Sequence, residues 1–212
     1  MEISSPTSHT LDVPGTRLFY ELQGSGPALV LFGHPPGGHA GFLTESKEFA
    51  AILRRTLASI LFTDIVGSTE TAVALGDRQW RNVLESHDAM AHALVGQHRG
   101  RVVKMTGDGV LATFDGPGRA IRCALALRDA LRPLGITIRA GVHTGEVELL
   151  GDDIGGVGVH IAARIVGHAR GGELLVSPAV PLLVAGSDIE FQDRGEQDLR
   201  GVGALRLYAV EG

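Results

Sequence analysis

The run Leu57-Ala-Ser-Ile-Leu-Phe-Thr-Asp-Ile-Val-Gly-Ser-Thr69 constrains this chain more than any other stretch. Its first half is apolar and rich in Ile, Leu and Phe, the composition of a strand covered on both faces, and its Gly-Ser-Thr end can open a helix. Asp64 interrupts the run near its end, where a carboxylate without a partner would be costly to bury. Two roles suit it: a turn or cap residue bonding the amides around Gly67 and Ser68, or a metal ligand at a strand end. The choice turns on whether a second carboxylate occurs in a similar setting.

The net charge of -5 offers no basic footprint for nucleic acid. A chain of 212 residues with 44% hydrophobic content suits one well-packed domain plus a smaller piece. Cys123 is the single cysteine, which excludes a disulfide framework and fits a reducing compartment. No apolar run approaches the roughly 18 residues of a spanning helix, and no signal-peptide pattern opens the chain. A cytoplasmic protein without membrane contact is therefore expected.

Residues 1–10 are polar and predicted to be frayed. Leu18 to Leu22 and Ala28 to Phe32, separated by Gly24-Ser25-Gly26-Pro27, read as a hairpin. With His34-Pro35-Pro36-Gly37-Gly38 this opening resembles, over about residues 12–42, the first strands and oxyanion loop of an α/β-hydrolase. No serine lies in a Gly-x-Ser-x-Gly elbow, so the nucleophile of an esterase is missing. The predicted organisation is an N-terminal remnant over 1–45, a linker over 46–55 within a helical pattern from Thr44 to Arg55, and a domain over 56–212.

After the opening strand, the spacing predicts helices over Gly67–Leu75 and Asp77–His98. In the second, Asp77 is the expected N-cap, and His87 falls in the apolar stripe with Trp80, Val83, Leu84, Met90, Ala91 and Leu94 as a packed, satisfied core residue. Arg101 to Phe114 reads as two β-like runs joined through Gly107-Asp108-Gly109, and Asp-Gly between alternating apolar residues is a strong hairpin signal. Alone, Asp108 is a turn former. Together with Asp64, two carboxylates at the ends of adjacent strands could hold two divalent ions roughly 3.5 to 4 Å apart.

Pro117–Leu131 is an amphipathic helix with Ile121, Ala124, Leu125 and Leu131 inward. The segment from Ile136 to Gly145 alternates, with Ile136, Ile138, Ala140 and Val142 on one face and Arg139, Gly141 and His143 on the other. Glu146 to Gly156 reads as a polar loop containing Asp153. Val157 to Val166 follows as a helix with an inner stripe of Val157, Ile161, Ile165 and Val166, leaving His160 and Arg164 together on another face. A strand over Gly172–Ser177, a short helix over Pro178–Val184 and a strand pair, Asp188–Arg194 with Ala204–Val210, close the chain. The order is β-α-α-β-β-α-β-α-β-α-β-β, an α+β domain of ferredoxin-like type with an antiparallel sheet covered by helices.

Phe62-Thr-Asp-Ile-Val-Gly-Ser-Thr69 followed by Lys104-Met-Thr-Gly-Asp-Gly109 resembles the paired signature of the class III nucleotidyl cyclases, over about residues 56–210. The resemblance implies a catalytic domain active as a two-fold homodimer that converts ATP to 3',5'-cyclic AMP and pyrophosphate. It implies Asp64, Asp108 and Ile65 as ligands of two Mg2+ or Mn2+ ions, and Arg139 as a grip on the triphosphate. Lys104 and Asp153 match the pair with which adenylyl members recognise adenine; guanylyl members usually carry Glu and Cys or a similar pair there. Arg164 matches the arginine that meets charge on the transferring phosphate. His160 stands where the family has a ribose-orienting asparagine, and Arg200 stands where it has a phosphate-contacting lysine. Asp64, Asp108 and Arg139 would come from one protomer and Lys104, Asp153, His160 and Arg164 from its partner. The substitution at His160 leaves open a nucleotide-binding regulatory domain, and a guanylyl cyclase is the other alternative.

Overall fold

The computed structural model describes residues 7–13, 16–22 and 55–211, and the chain divides into two compact units, Met1–Phe49 and Ala50–Gly212. In the first unit, β1 (Thr7–Val13) pairs antiparallel with β2 (Thr16–Leu22). The expectation of a frayed start is therefore corrected for Thr7 to Thr10. Alternating Thr, Leu and Val suit a strand, and the Pro-Gly dipeptide at 14–15 is a turn signal. The predicted strand Ala28–Phe32 and the connector from residue 44 to 54 lie outside the described residues.

The first described element of the second unit is β3 (Arg55–Ile65), so Arg55, read as the last residue of a helix, is in a strand instead. Its cross-strand neighbour is Glu148, and its guanidinium reaches Glu146 at 3.3 Å. Two helices follow, α1 (Ser68–Leu75) and α2 (Asp77–Gln97), with Gly76 rather than Asp77 at the N-cap of the second. The chain continues through β4 (Arg101–Met105), β5 (Val110–Phe114), α3 (Pro117–Leu131) and a short 3-10 turn over Arg132–Leu134. Then come β6 (Ile138–Leu150), β7 (Asp153–Gly155), α4 (Val157–His168) and β8 (Leu174–Val176). The last elements are α5 (Ala179–Leu183), β9 (Phe191–Leu199) and β10 (Gly203–Val210).

The strands form one sheet in the order β4-β5-β3-β6-β8-β10-β9, with β7 folded back on the end of β6. All pairings are antiparallel except β6 with β8, which α4 connects. The first four strands and their helices make a β-α-β-β-α-β unit of ferredoxin-like type, as predicted. The polar, glycine-containing segment over Glu146–Gly156 forms a two-stranded arm, with Glu148, Leu149 and Leu150 registered against Gly155, Ile154 and Asp153.

Helices α2 and α3 cover one face of the sheet. Their Ala91, Val95, Ala120, Ile121, Leu127 and Leu131 meet strand residues such as Leu61, Ala112, Ile138 and Val142 in the largest apolar cluster. Each fully buried Leu or Ile there is worth about 1.5–3 kcal/mol relative to exposure. Burial pushes the Cys123 thiol up to about 12, so it behaves as a small core hydrophobe. His87 is fully buried and its Nδ1 lies 2.9 Å from Asp88, but its Nε2 has no hydrogen-bond partner among the described residues; it is packed without being fully satisfied there.

Helix α4 covers the other face, and small residues set how close it lies. A Cβ on Gly141 would fall 2.6 Å from the Val166 amide nitrogen, and one on Gly158 2.9 Å from the Glu146 carbonyl oxygen. The residues this helix buries are Gly158, Ala162, Ile165 and Val166. Val157, predicted on the inner stripe, is 69% exposed because the first turn of α4 presses on the sheet through Gly158. Beneath the helix, burial lowers the pKa of His143, whose Nδ1 lies 2.8 Å from the Ser177 hydroxyl.

Candidate active site

Strand β3 is buried for most of its length because strands flank it on both sides and helices cover both faces. Asp64 lies one residue before its end and is half-buried. The register sets it directly opposite Arg139 of β6, and the guanidinium donates from both Nε and Nη2 to one carboxylate oxygen, the Nε contact being 2.7 Å. Opposite charges directly across an antiparallel pair stabilise each other, and partial burial strengthens the attraction. Asp64 is thus neither an orphaned buried charge nor a helix cap: α1 has Gly67 at its N-cap, in the left-handed region, with no side-chain cap bond.

Asp108 occupies the turn between β4 and β5. The Ile65 amide donates to the Asp108 carbonyl at 3.0 Å, which ties the turn to the end of β3. Gly109 makes this approach possible: a Cβ there would lie 1.9 Å from the Thr63 carbonyl oxygen, a backbone atom that cannot step aside. Gly109→Ala is therefore expected to cost about 1–3 kcal/mol, as overpacking does, and to lower the thermal midpoint by about 2 to 12 °C. A calorimetric midpoint equal to wild type would refute the close approach.

Asp64, Asp108 and Arg139 thus meet at one corner of the sheet. Ile65 is there too; its side chain is a hydrocarbon packed in the core, so its backbone carbonyl is the group it could offer an ion. Among the described residues no group of three or more His, Cys, Asp or Glu side chains gathers as a closed metal cage would require. Two carboxylates with a carbonyl are nevertheless the hard oxygen donors that suit Mg2+ or Mn2+, which keep waters and take phosphate oxygens for the rest of their shell.

A second group lies on β4 and the arm. Lys104 Nζ donates to Asp153 at 2.6 Å, and Arg101 donates to the neighbouring Asp152 carbonyl at 3.0 Å. The Lys104 hydrogen bond, helped by the Ile154 amide, holds the Asp153 carboxyl below the usual range. Asp153 itself is on β7 rather than in a loop.

Among the described residues no hydrogen bond or ion pair joins the remaining predicted residues to either group. His160 and Arg164 are exposed on one face of α4, a turn apart. Arg200 is exposed between β9 and β10. A cleft of about 380 Å3 lined by His168, Arg170, Leu175, Asp193, Arg194 and Gln197 contains none of the predicted residues. A second, of about 510 Å3 between the start of α3 and the end of α5, contains none either. The residue that sequence reading passed over is Thr63, whose hydroxyl accepts the Val110 amide at 3.1 Å. Its only signal was a hydroxyl in an apolar run, next to Asp64.

No helix among the described residues is long and apolar enough to cross a membrane. Residues 54–212 match the family described as the adenylate and guanylate cyclase catalytic domain. A Rhizobium meliloti protein provisionally named adenylate cyclase 3 is 36% identical over an alignment 169 residues long that covers 71% of this chain and 27% of that protein's length. A Silicibacter pomeroyi structure described as an adenylate/guanylate cyclase/hydrolase is 30% identical with a TM-score of 0.62, covering 74% of this chain and 98% of that one. The adenylyl cyclase CyaB of P. aeruginosa shares the fold, with a TM-score of 0.69 at 23% identity, over 74% of this chain and 95% of CyaB. The matched residues begin at 54, and the α/β-hydrolase resemblance of residues 12–42 is not supported.

Proposed function

Because this chain belongs to the adenylate and guanylate cyclase catalytic-domain family, we propose that it is an adenylyl cyclase, making 3',5'-cyclic AMP and pyrophosphate from ATP. The observation that carries the reading is the sheet corner where half-buried Asp64 stands opposite Arg139 and is tied through Ile65 to the turn bearing Asp108. Asp64 and Asp108, with the Ile65 carbonyl, would hold two Mg2+ or Mn2+ ions. Such ions supply activation of the ribose 3'-hydroxyl and neutralisation of the triphosphate.

The chain's own residues account for the rest. Arg139 would turn from Asp64 to the triphosphate, a natural target for a guanidinium fork. The 3'-oxygen bonds to the α-phosphorus as the bond to the β-phosphate bridging oxygen breaks; the hydroxyl proton passes to solvent and pyrophosphate leaves in line. Arg164 would donate to the charge that develops on the α-phosphate, His160 would orient the ribose, and Arg200 would contact the outgoing phosphates. Lys104 and Asp153, already a hydrogen-bonded pair at 2.6 Å, would open to receive adenine. The carboxylate suits the amino group and the ammonium a ring nitrogen. The shared site requires a homodimer with a two-fold axis, in which Asp64, Asp108 and Arg139 come from one chain and Lys104, Asp153, His160 and Arg164 from its partner in this reading.

Purified protein incubated with Mn2+ at a concentration that populates a dimer is expected to convert ATP to cyclic AMP faster than GTP to cyclic GMP. Faster turnover of GTP would replace the base assignment of Lys104 and Asp153 and leave the reaction intact. Binding of ATP without product would favour the regulatory-domain reading, with His160→Asn as the first variant to restore activity.

A further inference from the structure

We propose that Thr63 is a positioning residue, whose hydroxyl fixes the spacing of Asp64 and Asp108 and thereby the affinity of the metal pair; this rests on the metal reading of the two aspartates. The backbone ladder between β3 and β5 runs from Ser59 opposite Phe114 to Phe62 opposite Leu111 and then stops. Past that point two bonds join the segments. The Val110 amide donates to Thr63 Oγ1 at 3.1 Å, and the Ile65 amide donates to the Asp108 carbonyl at 3.0 Å. Asp64 lies between Thr63 and Ile65 on one segment, and Asp108 and Gly109 immediately precede Val110 on the other.

The hydroxyl thus does what a backbone carbonyl would do if the ladder continued. It takes over at the step where Gly109 crosses the Thr63 carbonyl, too close for any side chain. Thr63 is 2% exposed and Val110 is fully buried, so water has no access to the amide if the hydroxyl is lost. An unsatisfied buried donor moves to find a partner, and here the movement available is withdrawal of the β4–β5 turn from β3. That withdrawal carries Asp108 away from Asp64. Residues that orient metal ligands, without touching the metal, typically change affinity 10- to 100-fold.

The test uses Thr63→Val, which keeps the shape and removes the hydroxyl, and Thr63→Ser, which keeps the hydroxyl. Mn2+ affinity is read by electron paramagnetic resonance in the presence of 3'-deoxy-ATP, which lacks the attacking hydroxyl, and amide exchange at Val110 by NMR. The expected result is a Val110 amide that exchanges faster in Thr63→Val, with Mn2+ bound about 10- to 100-fold more weakly, and near-wild-type behaviour of Thr63→Ser in both. Wild-type Mn2+ affinity in Thr63→Val with a fast-exchanging Val110 overturns the positioning role; unchanged Val110 exchange overturns the bond itself. Absence of Mn2+ binding by the wild type, with Val110 exchange still dependent on Thr63, overturns the metal reading and the proposal with it. Thr63→Ala, which places no methyl against the amide, serves should Thr63→Val not fold, with the same expectations.

Discussion

Asp64→Ala is expected to leave a folded protein, by circular dichroism and thermal melting, that forms cyclic AMP at least about a thousandfold more slowly than wild type, or ~4 kcal/mol of lost transition-state stabilisation. The fold should survive because Arg139 is 34% exposed at its side chain and can turn its charge to water once the carboxylate is gone. Asp64→Asn makes the sharper comparison. It keeps the side-chain shape and an oxygen for Arg139 while weakening the hold on a divalent cation, so it should be nearly as inactive and more stable than the alanine variant. A turnover rate within tenfold of wild type in either variant would remove Asp64 from the metal site. Loss of folding in the alanine variant alone would leave the asparagine variant to decide.

The second large effect is recovery by mixing. Arg164→Ala should lose about a thousandfold or more, the scale associated with an arginine that meets charge in a phosphoryl-transfer transition state. Mixed in equal amounts with Asp64→Ala and allowed to exchange subunits, it should regain up to about a quarter of wild-type activity, because half of the dimers are then mixed and each of those has one intact site of two. The geometry motivates the expectation: Asp64 sits at the end of β3 while Arg164 projects from an exposed face of α4, with no bond linking the two among the described residues. A confirmed heterodimer that stays inactive would refute the shared site.

Much of this arrangement was legible in the sequence, for identifiable reasons. An apolar run ending in Asp, followed by Asp-Gly between apolar runs, is a local signal with few solutions: Asp64 falls at the end of β3, and Asp108 in the β4–β5 turn that is bonded to that end. The span of α3 was readable to the residue, because Pro117 fixes its first turn and Pro133 with Gly135 its end. The misreadings share another cause, the energetics of close approach. Asp153 reads as a loop residue because β7 is three residues long, too short for periodicity to register, and is a strand only through its pairing with β6. The inner face of α4 rests on Gly158 and Ala162 rather than on Val157, a distinction that depends on how near the sheet lies. Thr63 reads as an ordinary β-former until the backbone it bonds is in place. At the N-terminus the described pairing is Thr7–Val13 with Thr16–Leu22, so Leu18–Leu22 is a strand as read, and Thr7–Val13 was missed because its few apolar residues are set among polar ones.

Strand β9 ends the order of the described sheet, so one side of its nine-residue backbone is without a neighbouring strand there. A rim of that length is a template on which foreign strands could stack into fibrils. Its sequence, Phe-Gln-Asp-Arg-Gly-Glu-Gln-Asp-Leu, answers with charge at four positions and with Gly195 in the left-handed region, and the register with β10 slips between Arg206 and Tyr208. Charges, a backbone twist and a slipped register all obstruct fibril-like growth. Strand-by-strand addition at this rim is thereby disfavoured, which leaves β9 a poor seed for open-ended growth of the sheet.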